Sequence, residues 1–94
     1  MSECKSLDEV RKNIDRVDQE IIKLLAERSE YVRQAARFKK SAEDVAMPKR
    51  VEEVVHKVRK IAAEYKLDPD IVEQVYRLLI GHFIEAEMKV YRQV

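Results

Sequence analysis

The sequence predicts an all-α protein with three helices per chain, one of which is very long. Charged residues make up 39% of the 94 positions and hydrophobic residues 46%, and the two kinds are interleaved, as in long-helix proteins. One glycine and two prolines leave few turns, and apolar residues recur at helical rather than strand spacing. A chain of this length forms one domain, which we expect to span residues 1–94.

The first helix is predicted by apolar residues spaced three and four apart, the pattern of a coiled-coil seam. Ser6 is the expected N-cap, and Glu9 completes a capping box. A helix over residues 7–40 is roughly 50 Å long, whereas a compact chain of this size has a radius of gyration of only ~13 Å. The seam would be exposed in one chain, so we expect an intertwined homodimer. Its members are Leu7, Val10, Ile14, Val17, Ile21, Leu24, Arg28, Tyr31, Ala35 and Phe38.

Each of the two prolines marks the start of a further helix. Pro48 suits the first position of the second helix, and Asp68 and Pro69 suit the N-cap and first position of the third. The second helix presents a valine-rich apolar face, and the third carries an apolar stripe that includes Ile84. Gly81, the only glycine, falls within the third helix, where we expect it to allow close approach of another helix.

Composition argues against several classes of function. The net charge is +1 and acidic residues interrupt the basic runs, so a helical RNA-binding regulator is disfavoured. No apolar run approaches the roughly eighteen residues of a membrane span, and MSECKSLDEV lacks the apolar core of a signal peptide, so we expect a cytoplasmic protein. The single Cys4 cannot form an internal disulfide, and no Cys/His cluster indicates a metal site.

Two cations of the first helix are candidates for binding an anion. Arg28 occupies a seam position, where an unpaired charge costs on the order of several kcal/mol. Arg28 could pair with an acidic residue of the partner helix, extend its own side chain to solvent, or be held by a bound anion. In a continuous helix, Lys39 lies only about 20° from Arg28 around the axis and about 16 Å along it. Both side chains could then reach one small anion.

Arg11 is a third candidate cation, near the start of the first helix. It lies about 42 Å along the axis from Lys39, so it cannot share a small ligand with Lys39 of its own chain. In an antiparallel dimer it could share one with Lys39 of the other chain. The common alternative is an exposed ion pair with Asp8 or Asp15.

Glu87 and Arg50 complete the set of candidate residues. Glu87 lies on the apolar stripe of the third helix, where a carboxyl group is expected to have a raised pKa and to be able to donate a hydrogen bond. The alternative is a glutamate at the rim that pairs with Lys89 or Arg92. Arg50 follows Pro48 at the edge of the second helix, and alone it would be an ordinary surface arginine.

Together these residues resemble the all-helical chorismate mutase family, which includes the related isochorismate–pyruvate lyases. The run VRKNIDRVDQEIIKLLAER holds Arg11 and Arg28, and Lys39 follows in RFK eleven residues beyond. Arg50 follows the proline of the connection, and Glu87 lies in IEAEMKVY. The resemblance covers nearly the whole chain, and the pattern VRxxIDxxDxxIxxLLxxR is more specific than a long amphipathic helix alone.

The resemblance implies a dimer of interlocked chains with two equivalent sites and no cofactor. The substrate is chorismate, a dicarboxylate with an enolpyruvyl ether, and a pericyclic [3,3] rearrangement converts it to prephenate. By resemblance, Arg28 holds one carboxylate and Arg11 of the partner subunit holds the other. Lys39 and a protonated Glu87 donate to the ether oxygen. Lys39 and Arg50 lie on either side of the connection between the first and second helices, and they would close over this anionic substrate. The other residues expected to line the site are Arg50, Val51 and Ile84.

Two activities of this family remain open. Mutases often place a glutamate directly after the second-helix arginine, where it accepts a hydrogen bond from the ring hydroxyl, and here that position is Val51. This favours the lyases, which make salicylate and pyruvate from isochorismate. Glu87 favours a mutase, because the lyases carry a neutral amide there. We expect a chorismate mutase of aromatic amino acid biosynthesis in the shikimate pathway, with the lyase and salicylate biosynthesis as the alternative. A non-enzymatic dimerisation module would explain the seam but neither Arg28 nor Glu87.

Overall fold

The computed structural model describes residues 3–93, with side chains described through residue 89. These residues form four helices, α1 (Leu7–Ala36), α2 (Ala42–Ala46), α3 (Pro48–Glu64) and α4 (Pro69–Gln93). Within residues 3–93 no β-strand is present. The predicted all-α class and the three long helices are confirmed, and the five-residue α2 is an addition that the sequence interpretation did not contain.

The chain divides into two compact units, Met1–Val32 and Arg33–Val94. In its described part the first unit holds most of α1, a helix of 30 residues none of which is buried. The seam residues from Leu7 to Leu24 are 39–61% exposed. The second unit holds α2, α3 and α4, with α2 and α3 each packing against α4. Its buried apolar residues, among those described, are Val45, Val55 and Ala62.

The start of α1 follows the predicted capping pattern with one difference. The Ser6 hydroxyl accepts the Glu9 N–H at 3.1 Å, as a capping box requires. The Glu9 carboxylate reaches back to the N–H of Lys5, at 2.8 Å, instead of that of Ser6. The N-terminal cap is therefore confirmed, and its reciprocal bond lies one residue further out.

The end of α1 differs from the prediction, because the helix ends at Ala36 and not near residue 40. The next three N–H groups, the last that of Lys39, donate to carbonyls three residues back at 3.0–3.1 Å, which is a tighter turn. Ser41 is extended, and its hydroxyl caps α2 by accepting the Asp44 N–H at 3.2 Å. The Asp44 carboxylate in turn accepts the N–H of Lys40 at 3.0 Å. This second capping arrangement interrupts the helix, so Lys39 lies in a connection.

A single residue, Met47, connects α2 to α3. Met47 has φ 39° and ψ 60°, the left-handed conformation, and its N–H donates to the Glu43 carbonyl at 2.9 Å. Pro48 occupies the first turn of α3, as predicted. The left-handed residue turns the chain sharply, so that α2 and α3 can both pack on α4.

The turn between α3 and α4 closes with a Schellman-type motif. Lys66 has φ 61°, and the N–H of Leu67 donates to the Ala62 carbonyl at 2.8 Å. Asp68 then caps α4, because its carboxylate accepts the N–H of Asp70 at 2.9 Å. The predicted start of the third helix at Asp68 and Pro69 is thus confirmed.

A chain of ion pairs joins α3 to α4. Arg77 of α4 binds Glu52 of α3 through two hydrogen bonds of 2.9 and 3.0 Å, and it also binds Glu73 at 2.7 Å. Arg59 of α3 bridges Glu73 and Asp70, at 2.8 and 2.9 Å. Hydrogen bonds from Arg77 lower the pKa values of both Glu52 and Glu73. These pairs join the facing surfaces of the two helices beside a small apolar core.

A close approach at Gly81 is not made by a helix of its own compact unit. A Cβ atom added there would meet no other described atom within 4 Å. The glycine lies on an exposed part of α4. None of the described helices is both long and apolar enough to cross a membrane.

Candidate active site

Lys39 lies in the connection between α1 and α2, and its side chain is half-buried. Its ammonium group donates to the Asp44 carbonyl at 3.2 Å and contacts the Sδ atom of Met47. Both partners belong to α2 or its end. The position of the ammonium therefore depends on how α2 folds back against the connection.

Glu87 lies on α4 and is half-buried, with its Oε2 atom shielded from solvent and without a hydrogen-bond partner among the described residues. Burial raises the pKa of this carboxyl group, while the nearby charge of Lys39 opposes the shift. The predicted direction of the pKa change is confirmed. A pair with Lys89 is absent from the described ion pairs, and the side chain of Arg92 lies outside the described residues.

The second unit thus brings Lys39 and Glu87 within electrostatic reach of each other. A protonated carboxyl group is a hydrogen-bond donor, and an ammonium group is a donor and a cation. Two such groups at one place can stabilise negative charge that develops on an oxygen atom of a ligand. The pair requires that Glu87 keep its proton, and the raised pKa favours this state.

The N-terminal part of α3 and the facing part of α4 contribute the other candidates of this unit. Val51 and Ile84 are both half-buried, on helices that pack together. Arg50 is exposed and makes an ion pair of 3.5 Å with Glu53, one turn along α3. An exposed pair of this length holds a guanidinium weakly, so Arg50 is available to a ligand.

Arg11 and Arg28 belong to the first unit. Arg28 is half-buried, and its Nη1 atom is shielded from solvent. The expectation that Arg28 and Lys39 share one face of a continuous helix is wrong, because Lys39 follows the end of α1. Arg11 is exposed, and the ion pairs of the described residues do not include one with Asp8 or Asp15.

Comparison with known proteins identifies the family. A family model for chorismate mutase type II matches residues 10–88, which is most of the chain. The chain belongs to the chorismate mutase type II family. The matched segment contains the seven residues that the sequence interpretation selected for the site.

Individual relatives within this family carry different activities in their names. The chain is 34% identical over 91 residues to the isochorismate pyruvate lyase of Pseudomonas aeruginosa, a match that covers 97% of the chain and 90% of the relative. It is 32% identical over 79 residues to the chorismate mutase of Methanocaldococcus jannaschii, covering 83% and 80%. A bifunctional chorismate mutase/prephenate dehydratase of Aquifex aeolicus is 29% identical over 90 residues, which form 25% of that protein.

For this member of the chorismate mutase type II family, sequence reasoning missed the residues that hold Lys39. The S-A-E-D run beginning at Ser41 is a capping signal that would have ended α1 before Lys39. No comparable signal marks Met47, because its contact with Lys39 depends on a left-handed backbone conformation. Within the described residues, no group of three or more His, Cys, Asp or Glu side chains could hold a metal ion.

Proposed function

We propose that the protein is a chorismate mutase, which converts chorismate to prephenate by a pericyclic [3,3] rearrangement. The observation that carries this proposal is a half-buried Glu87 carboxyl group, shielded at Oε2 and raised in pKa, that lies within electrostatic reach of the Lys39 ammonium. Membership of the chorismate mutase type II family supports the substrate class. The reaction breaks a carbon–oxygen bond and forms a carbon–carbon bond within one molecule, so it needs no nucleophile.

The proposed roles of Lys39 and Glu87 follow from where charge develops. As the ether bond of chorismate lengthens, negative charge grows on the ether oxygen. Lys39 and protonated Glu87 both donate to this oxygen, and their hydrogen bonds strengthen as the charge increases. Donors that are already in place stabilise the transition state more than the ground state, which accelerates the reaction.

The proposed binding residues hold the substrate in its reactive conformation. Arg28 binds one carboxylate, and Arg11 of the partner subunit binds the other. Each does so through paired hydrogen bonds, which an arginine provides in fixed geometry. Arg50 lies at the mouth of the site and assists a carboxylate. Val51 and Ile84 provide apolar walls. Fixing two carboxylates brings the ends of a flexible substrate together and removes part of the entropic barrier.

The proposal includes a homodimer. The exposed α1 seam supports it, since the apolar seam residues from Leu7 to Leu24 are 39–61% exposed in a single chain. A second copy packed in the manner of a coiled coil would remove this apolar surface from water. Sedimentation equilibrium tests this directly, with a mass of two chains expected at micromolar concentration. A purely monomeric species would remove Arg11 from the proposed site.

Isochorismate–pyruvate lyase is the second candidate function. Val51 favours it, because this half-buried apolar side chain cannot accept a hydrogen bond from the chorismate ring hydroxyl. The 34% identity to the Pseudomonas aeruginosa isochorismate pyruvate lyase supports the same reading. The lyase reaction would place the protein in salicylate biosynthesis, and the mutase reaction in the shikimate pathway to aromatic amino acids.

A product assay distinguishes the two. Chorismate and isochorismate are incubated separately with the protein, and the products are identified by proton NMR. Prephenate from chorismate, with little pyruvate from isochorismate, is the expected result. Salicylate and pyruvate formed much faster than prephenate would establish the lyase and identify Val51 as the informative residue. No product from either compound would overturn both proposals.

A further inference from the structure

The conformation of Met47 is unusual for its residue type. It is one of two non-glycine residues with positive φ in the described chain, the other being Lys66. A left-handed residue after a helix is usually glycine, because a Cβ atom in this conformation lies close to the following carbonyl. A methionine here keeps a strained backbone that glycine would relieve, so its side chain is the feature to explain.

The Met47 side chain touches the ammonium of Lys39. Its Sδ atom contacts Lys39 Nζ, and the Asp44 carbonyl accepts a hydrogen bond from the same ammonium at 3.2 Å. The two acceptors approach it from the C-terminal end of α2, and both Met47 and Lys39 are half-buried. A lysine has a long stem with many rotamers, so two fixed contacts at its tip select among them.

We propose that Met47 is a positioning residue, whose sulfur, together with the Asp44 carbonyl, fixes the Lys39 ammonium beside Glu87. The backbone strain at Met47 is the cost of directing its thioether at Lys39. A thioether suits this task because it is flexible and polarizable and accepts only weakly, so it orients the ammonium without competing strongly with a substrate oxygen. The effect on turnover rests on the function proposed above, whereas the placement of Lys39 does not.

Removing the Met47 contact has a consequence at Glu87. Burial raises the pKa of the Glu87 carboxyl group, and Lys39 is the charged group that opposes this shift. The charged side chains on the elements packed against α4 at this end are all exposed. They are Glu43 and Asp44 of α2, and Lys49, Arg50, Glu52 and Glu53 in the first turns of α3. A released Lys39 ammonium would spend less time near Glu87, and the pKa of Glu87 would therefore rise further.

The test compares Met47→Gly with a matched control, Lys66→Gly. Both substitutions relieve a left-handed backbone, and Lys66 lies in the α3–α4 turn, away from Lys39. Both variants should melt at or above the wild-type temperature. Met47→Gly alone should lower kcat about tenfold or more, with a smaller change in KM, since a misplaced catalytic group has effects of this order. It alone should also raise the pKa of Glu87, measured by carbon-13 NMR of the side-chain carboxyl.

Met47→Leu separates the sulfur from the bulk of the side chain. Leucine preserves most of the apolar volume but offers no lone pair, so kcat should fall and the pKa of Glu87 should rise, as in Met47→Gly. Full activity and an unchanged Glu87 pKa in Met47→Leu would overturn the role of the sulfur. Equal behaviour of Met47→Gly and Lys66→Gly would overturn the proposal as a whole. If the wild type turns over neither chorismate nor isochorismate, the proposed function fails, and the NMR titration alone decides whether Met47 positions Lys39.

Discussion

Glu87→Gln gives a direct test of the proposed donor. If the reaction needs protonated Glu87, the mutase rate falls as pH rises through the raised pKa of this group. Glutamine keeps the shape of the side chain and donates from its amide at every pH. The pH profile of Glu87→Gln should therefore be flat over the range in which the wild-type rate declines.

The size of the pH effect on the rate follows from the upward shift in the pKa of Glu87. At the ordinary pKa of 4.5, a glutamate would be protonated to only about one part in a thousand at pH 7.5, and each unit of upward shift increases the protonated fraction about tenfold. Burial of the carboxyl group around Oε2 supplies this shift. Above the raised pKa the wild-type rate should lose about tenfold per pH unit, and the ratio of variant to wild-type rate should grow by the same factor.

The assay is the loss of chorismate absorbance, with kcat and KM measured from pH 5 to pH 9. Glu85→Gln is the matched control, because Glu85 is an exposed glutamate one half-turn earlier on the same helix. Its profile should coincide with that of the wild type. Parallel profiles for wild type and Glu87→Gln would refute the reasoning and leave Glu87 as a charge at the rim.

The free energy of unfolding should also fall as pH rises through the raised pKa of Glu87. The folded-state pKa of Glu87 lies above its unfolded value, so the folded state binds this proton more tightly. The corresponding contribution to the free energy of unfolding is complete below the ordinary pKa of 4.5 and is lost as pH rises through the raised value. Thermal melts of the wild type should show this decline, and melts of Glu87→Gln should lack it.

Three further predictions address the rest of the site and the dimer. Lys39→Ala should reduce kcat far more than tenfold while circular dichroism and sedimentation remain those of the wild type, and activity within tenfold would remove Lys39 from the mechanism. Gly81→Ala should stabilise the protein by about 1 kcal/mol, or ~4–8 °C in Tm, because a helical alanine is favoured and its Cβ atom meets open space. A lower Tm would mean that a partner chain occupies this space. Chains carrying Arg11→Ala or Lys39→Ala should each be inactive alone. Refolded together they should regain about a quarter of the wild-type sites, because half of the dimers are mixed and each mixed dimer has one intact site. No recovery would contradict a site shared between chains.

Local signals in the sequence predicted most of the fold. The caps at Ser6 and Asp68 and the proline at position 48 all operate within one helical turn, and the structure confirms each of them. The burial and raised pKa of Glu87 were predictable for a similar reason, since the face on which a residue lies is a local property of a helix. Features of this kind need no knowledge of which other helix packs nearby.

The errors arise where two local signals compete. Phe38 continues the seam spacing, which extended the predicted helix to residue 40, but the Ser41 cap ends it, and Phe38 is 80% exposed.

The ion pairs of Arg77 with Glu52 were also missed, because they join residues 25 positions apart and require the register of α3 against α4. Of this network, only the pair between Glu73 and Arg77 has a spacing that the sequence reveals.

The early end of α1 changes how Lys39 is positioned. A lysine within a helix has its direction set by the backbone, whereas Lys39 depends on contacts from Asp44 and Met47. Its distance from Glu87 then affects two opposing quantities. In the proposed mechanism, a closer ammonium would lower the pKa of Glu87 and favour loss of the proton that Glu87 donates, while a more distant one would leave the ether oxygen without its cation. Burial remains the larger influence on Glu87, so the carboxyl group can stay protonated with a cation nearby. In the proposed mechanism, the fold of α2 therefore influences the protonation of a carboxyl group on α4.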